Sequence, residues 1–326
     1  MKKTLLALAV LAAAGSANAI EVYNQDGVTV DFKGDFEFRY VKDIAKDDNL
    51  KLNVSDADLG FDTRYAVNDQ FSIGGYVSYE ADNGNVINGS DDGDKTGVKG
   101  GNAYVGFYTA DFGSLKFGKL DIQLDDMGIG SDELFGMDTY FSDLEAGGNE
   151  AVRYDLDKGM YYIGLGYIQN AHGTNGDISR DHNWDVRGGV RVADFDFTAY
   201  YGESANATDA STDTNQLYAF EVRFAGIENV NLELGYYGDS YADQTDADKS
   251  DADTFALAAD YTMNSWKFAA GYATTDYDKA GFEDLNQWFA NVGYKLAPNT
   301  NVYVEIGDND AEDSELGYGI GIEASF

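Results

Sequence analysis

The chain has 326 residues, with 58 Asp plus Glu against 22 Lys plus Arg, one Pro and no Cys. Its net charge of −36 makes nucleic acid an unsuitable partner, and the lack of Cys removes disulfides and thiolate metal sites. Beyond an apolar stretch at residues 5–14 nothing approaches the ~20 apolar residues of a spanning helix, which excludes a helical membrane protein.

At the start, Lys2 and Lys3, the apolar Leu5 to Ala14, and the small-x-small triplet Ala17, Asn18, Ala19 read as an export signal over 1–19. Residues 20–326 then form one unit, with a net charge of −38 once the two leader lysines are gone. Apolar and polar residues alternate with a period of two, which predicts about sixteen strands. They fall near 28–41, 54–66, 71–80, 102–110, 114–120, 150–156, 160–169, 184–192, 195–202, 216–224, 230–238, 253–261, 266–274, 287–295, 301–307 and 316–326.

Two kinds of connection alternate along this series. Long acidic loops occupy 42–53, 81–101, 121–149, 170–183, 203–215, 239–252, 275–286 and 308–315, and short turns join the strands in between. Long loops on one rim and short turns on the other predict an all-β, 16-stranded antiparallel transmembrane β-barrel with extracellular loops and periplasmic turns. A soluble all-β fold would need a dry inner face. Instead Asp31, Lys33, Asp35, Glu37 and Arg39 share one face of the first strand, and Asp58, Asp62 and Arg64 one face of the second. Burying unpaired charges costs several kcal/mol each, so that face must be wet. Tyr and Trp near strand ends, such as Tyr65, Trp184, Trp266 and Trp288, suit interfacial girdles. In the last strand Leu316, Tyr318, Ile320, Ile322, Ala324 and Phe326 point to lipid, and its glycines are expected to keep the lumen open.

These residues resemble the Gram-negative general porins, the trimeric outer-membrane diffusion channels. The resemblance rests on Ile20-Glu-Val-Tyr-Asn-Gln-Asp-Gly, Val30-Asp-Phe-Lys-Gly, Ala57-Asp-Leu-Gly-Phe61, Asp111-Phe-Gly-Ser-Leu with Phe117-Gly118, and the terminal Phe326. It implies a homotrimer in the outer membrane, in contact with lipid and lipopolysaccharide. It also implies an inward-folded third loop that sets the constriction, and a Phe326 signal read by the barrel assembly machinery. The longest loop, 121–149, is the third, and its Asp132-Glu133-Leu-Phe-Gly136-Met-Asp138-Thr139 is similar to the family's constriction stretch. Asp125, Asp126, Asp132, Glu133 and Asp138 are therefore the expected constriction acids.

Selectivity of a wide pore depends on the charges lining its narrowest gap. Lumen parity collects Arg39, Arg64, Arg153, Arg187, Arg191 and Arg223, together with Lys33, Lys116, Lys267 and Lys295. A basic wall facing an acidic loop would give a transverse field; alternatively these cations neutralise neighbouring carboxylates. Where general porins commonly place basic residues on the first, second and fourth strands, this chain has Asp35, Asp58 and Gly101. Cation preference follows.

Other chemistry is less defined. Asp243, Asp246, Asp248, Asp251 and Asp253, and Asp91, Asp92 and Asp94, offer oxygen ligands for weak Ca2+ or Mg2+ binding, but no EF-hand spacing, and a solvated loop is the simpler reading. His172 and His182 beside Asp181 lack the defined neighbours a hydrolase needs, and Gly317-x-Gly319-x-Gly321 lacks the strand-turn-helix context of a dinucleotide site. No enzyme activity and no cofactor are expected. The alternatives to a passive channel for small hydrophilic solutes and ions are a solute-specific channel, for which Tyr76, Tyr104, Tyr162, Tyr200, Tyr237 and Tyr303 have lumen parity without an evident track, and a surface adhesin or hydrolase.

Overall fold

The computed structural model describes residues 19–80, 99–137, 146–172, 178–207, 212–242, 250–278 and 283–326. The predicted export signal therefore lies outside the described residues except for Ala19, as do Asp138 and the acidic positions 91, 92, 94, 243, 246 and 248.

Seventeen strands form one antiparallel sheet that closes on itself. They are β1 Ile20–Gln25, β2 Val28–Lys42, β3 Lys51–Asn68, β4 Phe71–Glu80, β5 Lys99–Thr109, β6 Gly113–Asp121, β7 Gly147–Asp157, β8 Tyr161–His172 and β9 Ile178–Val192. The rest are β10 Phe195–Ala207, β11 Thr212–Ile227, β12 Val230–Ala242, β13 Ser250–Met263, β14 Trp266–Tyr277, β15 Leu285–Ala297, β16 Thr300–Asn309 and β17 Gly317–Ser325.

The extra strand does not widen the barrel. β3 covers one edge of β2 from Val28 to Val41, while β1 pairs with the other edge from Val28 to Phe32 and β17 with the same edge from Asp35 to Lys42. Two pieces thus share the sixteenth place, and the barrel has sixteen positions. The first piece was not predicted as a strand. Its turn has the local chemistry for a tight hairpin, since Asp26 and Gly27 take φ values of 54° and 78°, the left-handed region that a type I′ turn requires.

Phe326 is fixed to β2 within the wall. Gly34 donates its N–H to the Phe326 carbonyl at 2.8 Å and accepts the Phe326 N–H at 2.9 Å. The Phe326 ring lies against Phe32 and Phe36, with centroids 5.3 and 6.0 Å away. A Cβ on Gly34 would sit 2.7 Å from the ring's Cε2, so only glycine leaves room for it.

Burial follows the strand period. On β13, Phe255, Leu257 and Tyr261 are exposed outward, whereas Thr254, Ala256, Ala258 and Asp260 are buried inward. With lipid on the outside, this is the oily band of a membrane barrel. The ladders also run further than the alternation suggested. Strands take up most of the predicted loops 170–183 and 203–215, leaving only 173–177 and 208–211 between them. Polar residues do not oppose backbone pairing; they only erase the apolar period by which a strand is recognised. His172 and His182 consequently stand in strands rather than in a loop, His182 in register with Gln169 and Ala205.

The inward loop and its wall

The third loop leaves β6 at Asp121 and enters the barrel. It opens with a 3-10 turn, Gln123–Asp126, then crosses the inner face of the wall from β9 toward β17. Its apolar side chains Leu124, Met127, Ile129, Phe135 and Met137 are buried against Ala219, Ala256, Ala258, Ala269, Ala273 and Phe289. Burying such side chains stabilises by about 1.5–3 kcal/mol each, enough to seat the loop on a wall of small residues.

Two glycines of β17 serve this seat. A Cβ on Gly317 would come within 2.7 Å of Phe135 Cε1, and one on Gly319 within 2.6 Å of Leu134 Cδ1. The expectation that the glycines hold the pore open is therefore corrected: Gly317 and Gly319 admit the loop, and Gly321 makes room for the Tyr303 ring.

A row of wall carboxylates holds the loop backbone. Asp185 on β9 accepts the Leu124 N–H at 2.7 Å, Glu221 on β11 accepts Gly128 at 2.6 Å, and Glu233 on β12 accepts Gly130 at 3.0 Å. Glu305 on β16, with no exposed surface, accepts three: Glu133 at 2.7 Å, Leu134 at 2.9 Å and Phe135 at 2.6 Å. Asn291 donates to both Glu305 and the Ser131 carbonyl, and Tyr200 donates to the Asp126 carbonyl at 2.9 Å. Sequence reasoning missed these four acids. Their parity was legible, but the backbone that crosses them was not.

The predicted cations are mostly bound to acids. Asp126 accepts from Arg153 at 2.5 Å and also from Arg187; Arg153 further holds Asp155 at 3.1 Å and donates to the carbonyls of Asp121 and Ile122. Arg191 pairs with Asp157 at 2.8 Å and Asp196 at 3.1 Å, with its guanidinium 4.3 Å from the Tyr162 ring centre. Arg223 pairs with Glu221 at 2.7 Å and donates to the Gly128 carbonyl. Asp62 takes Arg64 at 2.7 Å and Lys33 at 3.4 Å, and Asp155 takes Lys116 at 3.3 Å. Arg39 has no ion pair among the described residues. Arg153 and Arg187 thus touch the loop's own Asp126 rather than facing it across a gap. Replacing Asp126 with Asn would remove one negative charge from between Arg153 and Arg187 and leave both guanidinium groups to Asp155, so a reversal potential moved toward anions would show it.

Acids dominate the wall formed by β17, β2, β3 and β4. In the ladder Asp35 stands opposite Asp58, Glu37 opposite both Asp56 and Glu323, and Asp58 opposite Glu80. Like charges directly opposite destabilise a pair, so this patch is held against its own repulsion. Gly101 faces Glu80 and Ser78 and brings no cation. Glu133 of the loop turns toward this patch. Burial pushes its carboxyl up to about 7, aided by Glu323, Glu305 and Glu37. Burial likewise pushes Asp125 up to about 6, with Asp121 and Asp126 adding to the effect. Asp132 sits beside Gly130.

Among the described residues no group of three or more His, Asp and Glu is arranged to hold a metal ion. Of the acidic sixth loop, Asp251 accepts from Ser240 at 2.6 Å and Asp253 from Tyr236 at 2.6 Å.

A closed sixteen-position barrel narrowed by a loop clasped to its inner wall defines an outer-membrane channel. The chain belongs to the Gram-negative porin family, whose model matches residues 4–314. Porin-like protein H of Photobacterium profundum is 34% identical over the full length of both chains. Outer membrane porin C of Salmonella typhimurium is 29% identical over 98% of this chain and 84% of its own. Among solved structures, the trimer form of Vibrio cholerae OmpT has a TM-score of 0.75 at 20% identity, covering 92% of this chain and all of that one. The protein is thus a porin of the outer membrane.

Proposed function

We propose that this porin is a cation-preferring diffusion channel for small hydrophilic solutes and ions, working as a homotrimer. One observation carries the reading. Most wall cations are taken up by carboxylates, whereas Asp35, Glu37, Asp56, Asp58, Glu80 and Glu323 each have another of these acids as a ladder neighbour, with Lys99 on the far side of Glu80. A lumen with quenched cations and a surplus of acid attracts cations and repels anions. In planar bilayers under a gradient of dilute salt, the reversal potential is expected to have the sign of cation preference. A zero or anion-selective value would overturn the proposal. Liposome swelling with sugars of graded size separates this reading from its rivals. A smooth size cut-off fits a general pore, a stereochemical preference a solute-specific one, and no swelling a barrel that does not conduct.

Phe326, packed on Phe32 and Phe36 at the outer face, is proposed as the mark read by the assembly machinery. Lipid and lipopolysaccharide would surround the exposed band.

A further inference from the structure

The lumenal charges are segregated along the pore axis as well as around it. Strands β2 and β4 run from the short-turn rim to the long-loop rim, and β3 runs back. Glu37, Asp56, Asp58 and Glu80 all fall in the long-loop half of their strands, with Asp35 at the middle of β2 and Glu323 level with Glu37. Most of the lumenal cations take the opposite half. Lys33, Arg64, Lys116, Arg153, Arg187, Arg191 and Arg223 lie toward the short turns, as do Lys267 at the start of β14 and Lys295 at the end of β15. Arg39, Lys51 opposite Val41 and Lys99 opposite Glu80 stand in the long-loop half, where acids outnumber them.

The two halves therefore differ in net charge. In the short-turn half, each arginine has a carboxylate within ion-pair distance, and Lys267 and Lys295 add positive charge with no ion pair among the described residues. In the long-loop half, acids oppose acids at Asp35, Glu37, Asp56, Asp58 and Glu323, and Glu80 stands between Asp58 and Lys99, so negative charge remains in surplus. An ion crossing from outside meets a negative section first and a compensated section second.

We infer that this segregation makes the channel rectify, passing more cation current from the long-loop side to the short-turn side than in reverse. The physical reason is accumulation. Cations driven inward are concentrated by the acidic half and delivered to a half that anions can enter from the other end, so salt builds up at the junction and conductance rises. With the field reversed, both ions are drawn away from the junction, salt is depleted there, and conductance falls. The effect requires wall charge to reach across the lumen, and it fades as the screening length shrinks from about 10 Å at 0.1 M salt to about 3 Å at 1 M.

This inference rests on the cation-preferring reading, and the test separates the two. Single channels are recorded at equal and opposite voltages in symmetric 0.1 M and 1 M salt. Because the chain has no Cys, orientation is fixed by an Ala311→Cys variant, whose exposed rim position reacts with a bulky thiol reagent added to one chamber. The expected result is about a 1.5-fold or larger excess of inward cation current at 0.1 M that disappears at 1 M. The triple variant E37Q/D56N/E80Q, which removes repulsion and leaves Glu37's acceptor for Tyr303 as an amide oxygen, should give equal currents at both concentrations. Equal currents in the unmodified protein at 0.1 M would overturn the inference. So would an asymmetry that survives 1 M salt, because a moving loop and not wall charge would then cause it. A reversal potential taken on the same channels keeps the claims distinct. Cation preference with equal currents defeats rectification alone, whereas loss of cation preference defeats both.

Discussion

Replacing Glu305 with alanine is expected to loosen the far half of the inward loop and raise both the mean conductance and the current noise of a single channel. Glu305 accepts three consecutive loop N–H groups and the Asn291 amide from a fully buried position. A hydrogen bond to a charged acceptor contributes about 1.5–3 kcal/mol, and a donor stranded in the barrel adds its own desolvation cost. A net loss of about 3 kcal/mol changes the ratio of released to seated loop by roughly a hundredfold. Phe135 and Met137 still hold the loop by apolar contact, so the expected behaviour is exchange between seated and released forms, not permanent detachment. Glu305→Gln should be intermediate, since one amide oxygen still accepts while the NH2 faces donors. The wall ladder is untouched, so resistance of the folded barrel to heating should change little. Traces from Glu305→Ala that match the unmodified channel in conductance and noise would show that the clasp does not hold the loop.

Architecture was legible because two independent signals agreed: a period of two along each strand, and loop lengths alternating from rim to rim. β1 escaped because six residues beginning Ile20-Glu-Val-Tyr are too few to display a period, although Asp26-Gly27 signalled the hairpin that holds them. Strand ends were drawn short for a related reason: β9 begins at Ile178 among residues as polar as any loop. Parity put Arg153 and Arg187 in the lumen, but parity has no third dimension. It could not show that both would converge on Asp126, nor that Glu221 and Glu305 would hold backbone amides of a loop roughly a hundred or more residues earlier in the chain. The glycines of β17 show the same limit. A small side chain reads equally well as an open lumen or as a socket, and only the position of Leu134 and Phe135 decides.

Acidification from pH 8 to pH 5 is expected to weaken cation preference, and two loop carboxyls contribute to the change within that window. Glu133 titrates near 7 and Asp125 near 6, each raised because burial in the barrel and neighbouring acids penalise the ionised form. Above pH 8 both are charged and add to the acidic wall; below pH 5 both carry protons and the gap loses two negative charges. The reversal potential in a fixed gradient should therefore move toward zero on acidification, and Glu133→Gln should remove the part of that shift lying near neutral pH. Stability carries the opposite sign from the usual paired carboxylate. Between the ordinary value of 4.5 and the folded value of about 7, the seated Glu133 binds more proton than the released one, so seating weakens as pH rises through that window. The same channel should thus be quieter and less selective at pH 5, noisier and more cation-preferring at pH 8. A reversal potential that stays constant across this range would remove Glu133 and Asp125 from the selective gap and leave selectivity to the wall acids alone.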